Sequence, residues 1–168
     1  MTDDITKNYF PGPGQQTSRR IAQAMEKATE AFDSKKLRFT TLRQKVFEEI
    51  AATNTHIGAY EILDRLATKG TRLAPISVYR AIDALMQAGV IHRLESKNAF
   101  FACRRPHHGF EKGKRPIVLA CEKCGAVAEV EGEGVFETID KVARGANFKP
   151  RVKFVEVSGT CPRCTPKE

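Results

Sequence analysis

Two copies of one spacing constrain this chain more than anything else in it: Cys121-Glu-Lys-Cys124-Gly125 and Cys161-Pro-Arg-Cys164. Four thiolates suit tetrahedral zinc, and a site filled entirely by protein ligands is structural rather than catalytic. Gly125 allows the tight turn in which backbone N–H groups approach the sulfurs. Unrelated surface thiols or a redox pair are the competing readings, and neither asks for the spacing to be duplicated. The N-terminus opens Met-Thr-Asp-Asp, without the basic start and apolar run of a secretory signal, and no run is long enough to cross a bilayer. The expectation is therefore a cytoplasmic chain with reduced thiols, whose cysteines are ligands rather than disulfides.

Around the cysteine pairs the pattern is that of a small α+β unit. Ile117–Ala120 and Val127–Val130 read as strands, Val135, Ile139, Val142 and Ala143 mark a helix, and Val152–Val157 alternates like a third strand. A unit of this size buries little by itself, which is a reason to use a metal staple or a partner subunit. Residues 104–116, Arg-Arg-Pro-His-His-Gly-Phe-Glu-Lys-Gly-Lys-Arg-Pro, break the periodicity and read as a hinge.

Upstream the period changes. Residues 1–18 are polar, carry Pro11-Gly12-Pro13-Gly14 and read as a flexible arm. Ile21, Ala24, Met25, Ala28 and Phe32 then recur at helical spacing, and Lys35, Lys36 and Arg38 end that segment with positive charge. A second helix begins at Thr40 or Thr41, with Leu42, Val46 and Ile50 on one face. A third runs near 59–69 and stops at Gly70. Pro75 opens a fourth, where its missing N–H costs nothing, and Gly89 closes it. Val90–Leu94 and Ala99–Cys103 follow as short strands around the turn Ser96-Lys97-Asn98. Three helices and a hairpin are the winged form of the helix-turn-helix. The expected layout is an arm at 1–18, a winged-helix domain at 19–103, a hinge at 104–116 and a zinc-binding dimerisation domain at 117–168.

Charge agrees with that layout. The chain carries +8, from 28 Lys and Arg against 20 Asp and Glu. Residues 35–100 hold 11 basic and 6 acidic side chains, so +5 of the +8 sits on the proposed DNA reader. Neutralising phosphates releases condensed counterions, so such a surface favours a polyanionic partner, here double-stranded DNA.

Enzymatic readings find no footing. None of the four histidines begins the H-x-E unit of a zinc deaminase, and Pro162 lies inside the second cysteine pair rather than before it. Nucleophile elbow, P-loop and H-E-x-x-H are all missing from the sequence. The chain is expected not to be an enzyme, and to take no small molecule other than a metal ion. One cysteine and several histidines are left near the domain junction: Cys103 ends the wing, His92 lies on its first strand, and His107-His108 begins the hinge. Two readings stay open here. A Cys/His cluster drawn from both sides of the hinge could lock the domains at one angle, or His92 is a partly buried strand residue and His107-His108 a solvated loop.

Several motifs, in order, resemble the ferric uptake regulator family and most closely its zinc-uptake branch. They are Phe39-Thr-Thr-Leu-Arg43, Ser77-Val-Tyr-Arg80-Ala-Ile-Asp-Ala-Leu85, Gly89-Val-Ile-His92 and the two cysteine pairs, so the resemblance runs from Phe39 to Cys164. It implies a homodimeric repressor whose fourth helix enters the major groove, with Tyr79 and Arg80 contacting bases and Ser77 as a lesser candidate. Arginine grips guanine O6 and N7 bidentately, and tyrosine packs on a thymine methyl or bonds a phosphate; the competing reading is the solvated face of an amphipathic helix.

The resemblance further implies two zinc ions per subunit. Cys121, Cys124, Cys161 and Cys164 match the structural site. His92, Cys103, a hinge histidine (His108, with His107 as the alternative) and Glu129 match the regulatory one. A thiolate beside imidazoles favours zinc over manganese or iron. His56 matches a position that is a ligand in some iron-type members, and otherwise reads as a loop histidine. Rival expectations are an iron, manganese or peroxide sensor of the same family, or a metal-stapled nucleic-acid binder that senses nothing.

Overall fold

A computed structural model describes residues 10, 18–103, 115–132, 134–152 and 154–166. The expected hinge ligands His107 and His108 lie outside those residues, as does the expected arm apart from Phe10 and Ser18. The chain divides into two compact units. Among the described residues no helix is long and apolar enough to cross a membrane.

The first unit runs α1 (Ser18–Ser34), α2 (Thr41–Ala51), α3 (Ala59–Thr68), α4 (Pro75–Ala88), β1 (Ile91–Leu94) and β2 (Ala99–Ala102). The boundaries follow from local chemistry. Lys35, Lys36 and Arg38 fall beyond α1 rather than in its last turn; Lys36 is left-handed, with φ 55°, and Leu37 donates back to the Phe32 carbonyl at 2.9 Å. Thr40 is the cap of α2 and Thr41 its first residue: the Thr40 hydroxyl accepts from the Arg43 N–H, one of the donors that a helix start leaves unpaired. Pro75 takes the first position of α4, and Gly89 ends it at φ 79°, a conformation costly for any residue with a Cβ.

The apolar faces converge on one core, in which Phe32, Val46, Ile50, Ile62, Ile82 and Leu85 are fully buried. β1 and β2 pair antiparallel with Ile91 opposite Ala102 and Leu94 opposite Ala99, around a 3-10 turn at Glu95–Lys97 closed by left-handed Asn98. Ile57 exchanges both backbone hydrogen bonds with Phe100, so the segment entering α3 is pinned to the wing.

In the second unit β3 (Pro116–Cys121) is central, antiparallel to β4 (Val127–Glu131) and parallel to β5 (Val155–Gly159), with α5 (Val135–Gly145) in the crossover. The third strand begins later than the alternation at Val152–Val157 suggests. Its parallel register sets Ile117 beside Val155 and Cys121 beside Gly159, while the Val152 carbonyl, outside the strand, accepts from the Arg115 guanidinium at 3.1 Å. The same guanidinium lies 4.4 Å from the Phe136 ring centre. Gly132 is there for space: a Cβ would stand 2.7 Å from Ile117 Cγ1 and 3.1 Å from the Phe136 ring.

The α5 stripe is not buried within the chain. Only Phe136 is buried on this helix, Ile139 is half-buried, and Val135 and Val142 are exposed.

Candidate metal centres and nucleic-acid interface

The β3–β5 register delivers the cysteines. Cys121 closes β3 beside Gly159 at the end of β5, and Thr160 then leads directly into Cys161. All four sulfurs lie within 4.8 Å of one another. Sulfurs held tetrahedrally at about 2.3 Å from a common centre stand about 3.8 Å apart, and Cys124 Sγ to Cys161 Sγ is 3.7 Å. A disulfide needs about 2.05 Å, and none of the five cysteines is in one. The spacing is that of a metal tetrathiolate, so the donor set fits zinc.

Gly125 makes the expected turn, at φ 71°, and its N–H bonds the Cys121 carbonyl at 3.0 Å. Within that turn the Lys123 and Cys124 N–H groups point at the Cys121 sulfur, and a third donor comes from Cys161. Burial pushes the Cys121 thiol up, but the N–H groups of Cys161, Cys124 and Lys123 outweigh it and bring the thiol down to about 6. The Cys161 N–H lies 3.3 Å from that sulfur. At Cys161 burial also raises the thiol, and the Cys164 and Arg163 N–H groups reverse the sign. Cys164 moves the other way, up to about 12, because Cys124 and the other sulfurs crowd it. Cys121 is thus prepared as a thiolate and Cys161 shifts the same way, while Cys164 keeps its proton until a cation displaces it, so metal uptake releases protons and weakens as pH falls.

Phe10 packs against the buried cluster of Cys121, Ala126 and Cys161. The sequence offered no signal for this contact, because it joins opposite ends of the chain.

On the first unit, pairing explains a second grouping. His92 stands opposite Phe101, with ring centres 5.7 Å apart, and Cys103 donates its N–H to the Val90 carbonyl. Side chains two residues apart share a face, so His92 and Cys103 are diagonal neighbours on one side of the hairpin. A ring nitrogen of His92 and the Cys103 sulfur lie within 4.8 Å, the histidine half-buried and the thiol buried. Glu129, on β4 of the second unit, is half-buried and registers against Val118, as does Glu156 on the other side of β3. His56 is half-buried in the loop before α3.

Helix α4 turns Val78, Ala81, Ile82 and Leu85 into the core, which leaves Tyr79 and Arg80 exposed and Ser77 half-buried. Two exposed apolar residues went unnoticed in the sequence: Ile76 on α4, 58% exposed, and Tyr60 on α3, 67% exposed. Both interrupt the helical stripes of their neighbours, which was the available signal.

A winged helix with an outward-facing fourth helix, in one chain with an α/β unit drawn together by four thiols, defines a metal-responsive, DNA-binding regulator. Comparison with known proteins narrows the class. Residues 34–158 match the ferric uptake regulator family. The zinc uptake regulation protein of Escherichia coli K12 is 32% identical over 133 residues, covering 79% of this chain and 75% of that protein. Among solved structures, a zinc uptake regulator complexed with zinc and DNA is similar at a TM-score of 0.78 and 28% identity, covering 89% of this chain and 96% of that one. The holo form of XcZur is similar at 0.74 and 33% identity, with 84% and 96% covered. The chain belongs to the ferric uptake regulator family, whose members are transcriptional regulators and not enzymes.

Proposed function

We propose that the chain is a zinc-responsive repressor of zinc-uptake genes, acting in the cytoplasm as a homodimer on a double-stranded DNA operator. Cys121, Cys124, Cys161 and Cys164 hold one structural zinc per subunit. His92, Cys103, a hinge histidine (His108, or His107 in its place) and Glu129 hold a second, regulatory one. The observation that carries the reading is the His92–Cys103 pair on the wing hairpin, a thiol and an imidazole within 4.8 Å. That soft donor pair favours zinc over manganese and over the His and carboxylate sets of iron sensors. The relatives named for zinc uptake support the same choice.

Bound zinc supplies a cation that two hairpin ligands and a β4 carboxylate can share. With His92 and Cys103 committed on one unit and Glu129 on the other, one relative angle of the units is favoured over the rest, and ion occupancy shifts that equilibrium. In the favoured arrangement the two copies of α4 meet successive major-groove half-sites, with Arg80 and Tyr79 on base edges and Ser77 near the helix start. Val142, Phe148 and Val157, exposed at 69%, 64% and 45%, supply apolar surface for the second copy.

The test is binding to a DNA site selected from a random pool, titrated at buffered free zinc and repeated with iron(II) and manganese(II). Zinc should raise affinity most. Tightest binding with iron or manganese would move the chain to another branch of the family, and metal-independent binding would leave a zinc-stapled DNA binder without sensing.

A further inference from the structure

We propose that Ile76 is a further base reader on α4, packing its side chain on a thymine C5-methyl group in the major groove; this rests on the placement of α4 on DNA proposed above. Single exposed apolar residues are ordinary on a protein surface. Those of the first unit are not scattered: among the described residues its exposed large hydrophobic side chains are Tyr60 on α3 and Ile76 and Tyr79 on α4. Ile76 stands three and four residues before Tyr79 and Arg80, the spacing that puts all three on one face of a helix. The core lies on the other side, where Val78, Ala81, Ile82 and Leu85 are buried.

The tip of this helix is apolar as well. Ala74 takes the cap position with no side-chain hydrogen bond, Pro75 takes the first helical one, and both are exposed beside Ile76. Pro75 has no N–H, and the Ser77 N–H is taken by the Ala74 carbonyl at 2.9 Å. A helix start of this kind has little to hold a phosphate with. Farther along, the outward face turns polar, with Arg80, Asp83 and Gln87 exposed.

In a helix-turn-helix the N-terminal residues of the reading helix reach the base edges. The apolar group displayed in the major groove is the thymine methyl, and a branched aliphatic side chain buries it without a hydrogen bond to satisfy. Isoleucine is a poorer helix former than alanine, so local stability gives no reason for it at an exposed helical position. With the helix axis along the groove, Ile76 lies about 6 Å from Arg80, close to two base-pair steps. The thymine therefore belongs about two steps from the guanine gripped by Arg80.

The experiment uses the full metal-loaded chain and a duplex selected from a random pool. Each thymine in turn, in both half-sites, is replaced by deoxyuridine, which lacks only the C5-methyl group. At one position the wild-type chain should lose about three- to fourfold in affinity per methyl, and so about tenfold for the proposed dimer on two half-sites. Ile76→Ala should bind the thymine duplex about tenfold more weakly, with thermal midpoint and metal content unchanged, and lose nothing further with deoxyuridine at that position. Tyr79→Ala should bind more weakly but keep the wild-type thymine preference there. A full deoxyuridine loss at every thymine in Ile76→Ala overturns the proposal. So does a wild-type chain indifferent to deoxyuridine, or a thymine preference that disappears with Tyr79→Ala instead. Failure of the wild-type chain to select any duplex from the pool would overturn the DNA reading beneath it.

Discussion

The two units solve the same problem by different means. In the first, stripes from four helices and a hairpin meet, and Phe32, Val46, Ile50, Ile82 and Leu85 are fully buried in one continuous core. In the second, the sheet is three strands wide, α5 buries only Phe136, and Val142, Phe148 and Val157 face outward. A reader of DNA must hold its helix rigidly in each copy separately, so its stability is built from its own side chains. The other unit buries few side chains of its own, so on the proposed reading its stability rests on the four-thiolate metal and a second copy.

The largest expected effect tests that contrast directly. Cys121→Ser removes a ligand from a site of a kind that supplies about 10–16 kcal/mol on binding zinc. Elemental zinc should fall by about one ion per chain and the second unit should lose protease resistance, while the first keeps its helical circular dichroism. Loss of both units together would erase the distinction. In the first unit, Ile82→Ala should cost about 2–5 kcal/mol through the cavity it leaves. Its thermal midpoint should fall equally with and without chelator; a chelator-dependent shift would show that this unit, too, leans on metal.

Smaller effects sharpen the division between holding the fold and sensing. Cys103→Ser should leave thermal stability and the tightly held zinc in place, yet remove a zinc-dependent gain in DNA affinity of about 5- to 150-fold. Normal zinc-dependent binding by this variant, in a gel-shift titration, would refute the regulatory site. Arg80→Ala should weaken specific binding by roughly 1–3 kcal/mol with metal content unchanged. Least of all, Val142→Asp should raise the dissociation constant of the proposed dimer about tenfold, read by analytical ultracentrifugation, because it puts a charge on the apolar face proposed to meet the second copy. An unchanged constant would show that the second copy covers some other face.

Much of this was legible because the signals are local. Pro75, Gly89 and Thr40 act through the backbone within a turn of where they stand, so the helix boundaries could be read close to their places. The cysteine pairs were legible as a site because a C-x-x-C carries two ligands on one turn. Elements whose position depends on a distant strand were less so. β5 starts at Val155 and not Val152, because its parallel partner and the Arg115 contact with the Val152 carbonyl set the register. The α5 stripe announced a helix correctly but said nothing of what would cover it.

Sequence alone determined the winged-helix and α+β division, the four-cysteine cluster and the outward Tyr79 and Arg80, since each follows from periodicity or spacing within a few residues. The tertiary structure decided which donors act on each sulfur, that His92 and Cys103 share one face of the hairpin, that the α5 stripe stays open, and that Phe10 returns to the cysteines. The Cys161 N–H on the Cys121 sulfur and the contact of Phe10 depend on residues far apart in the chain meeting in space. Their cost is loop-closure entropy, and only the completed fold offsets it.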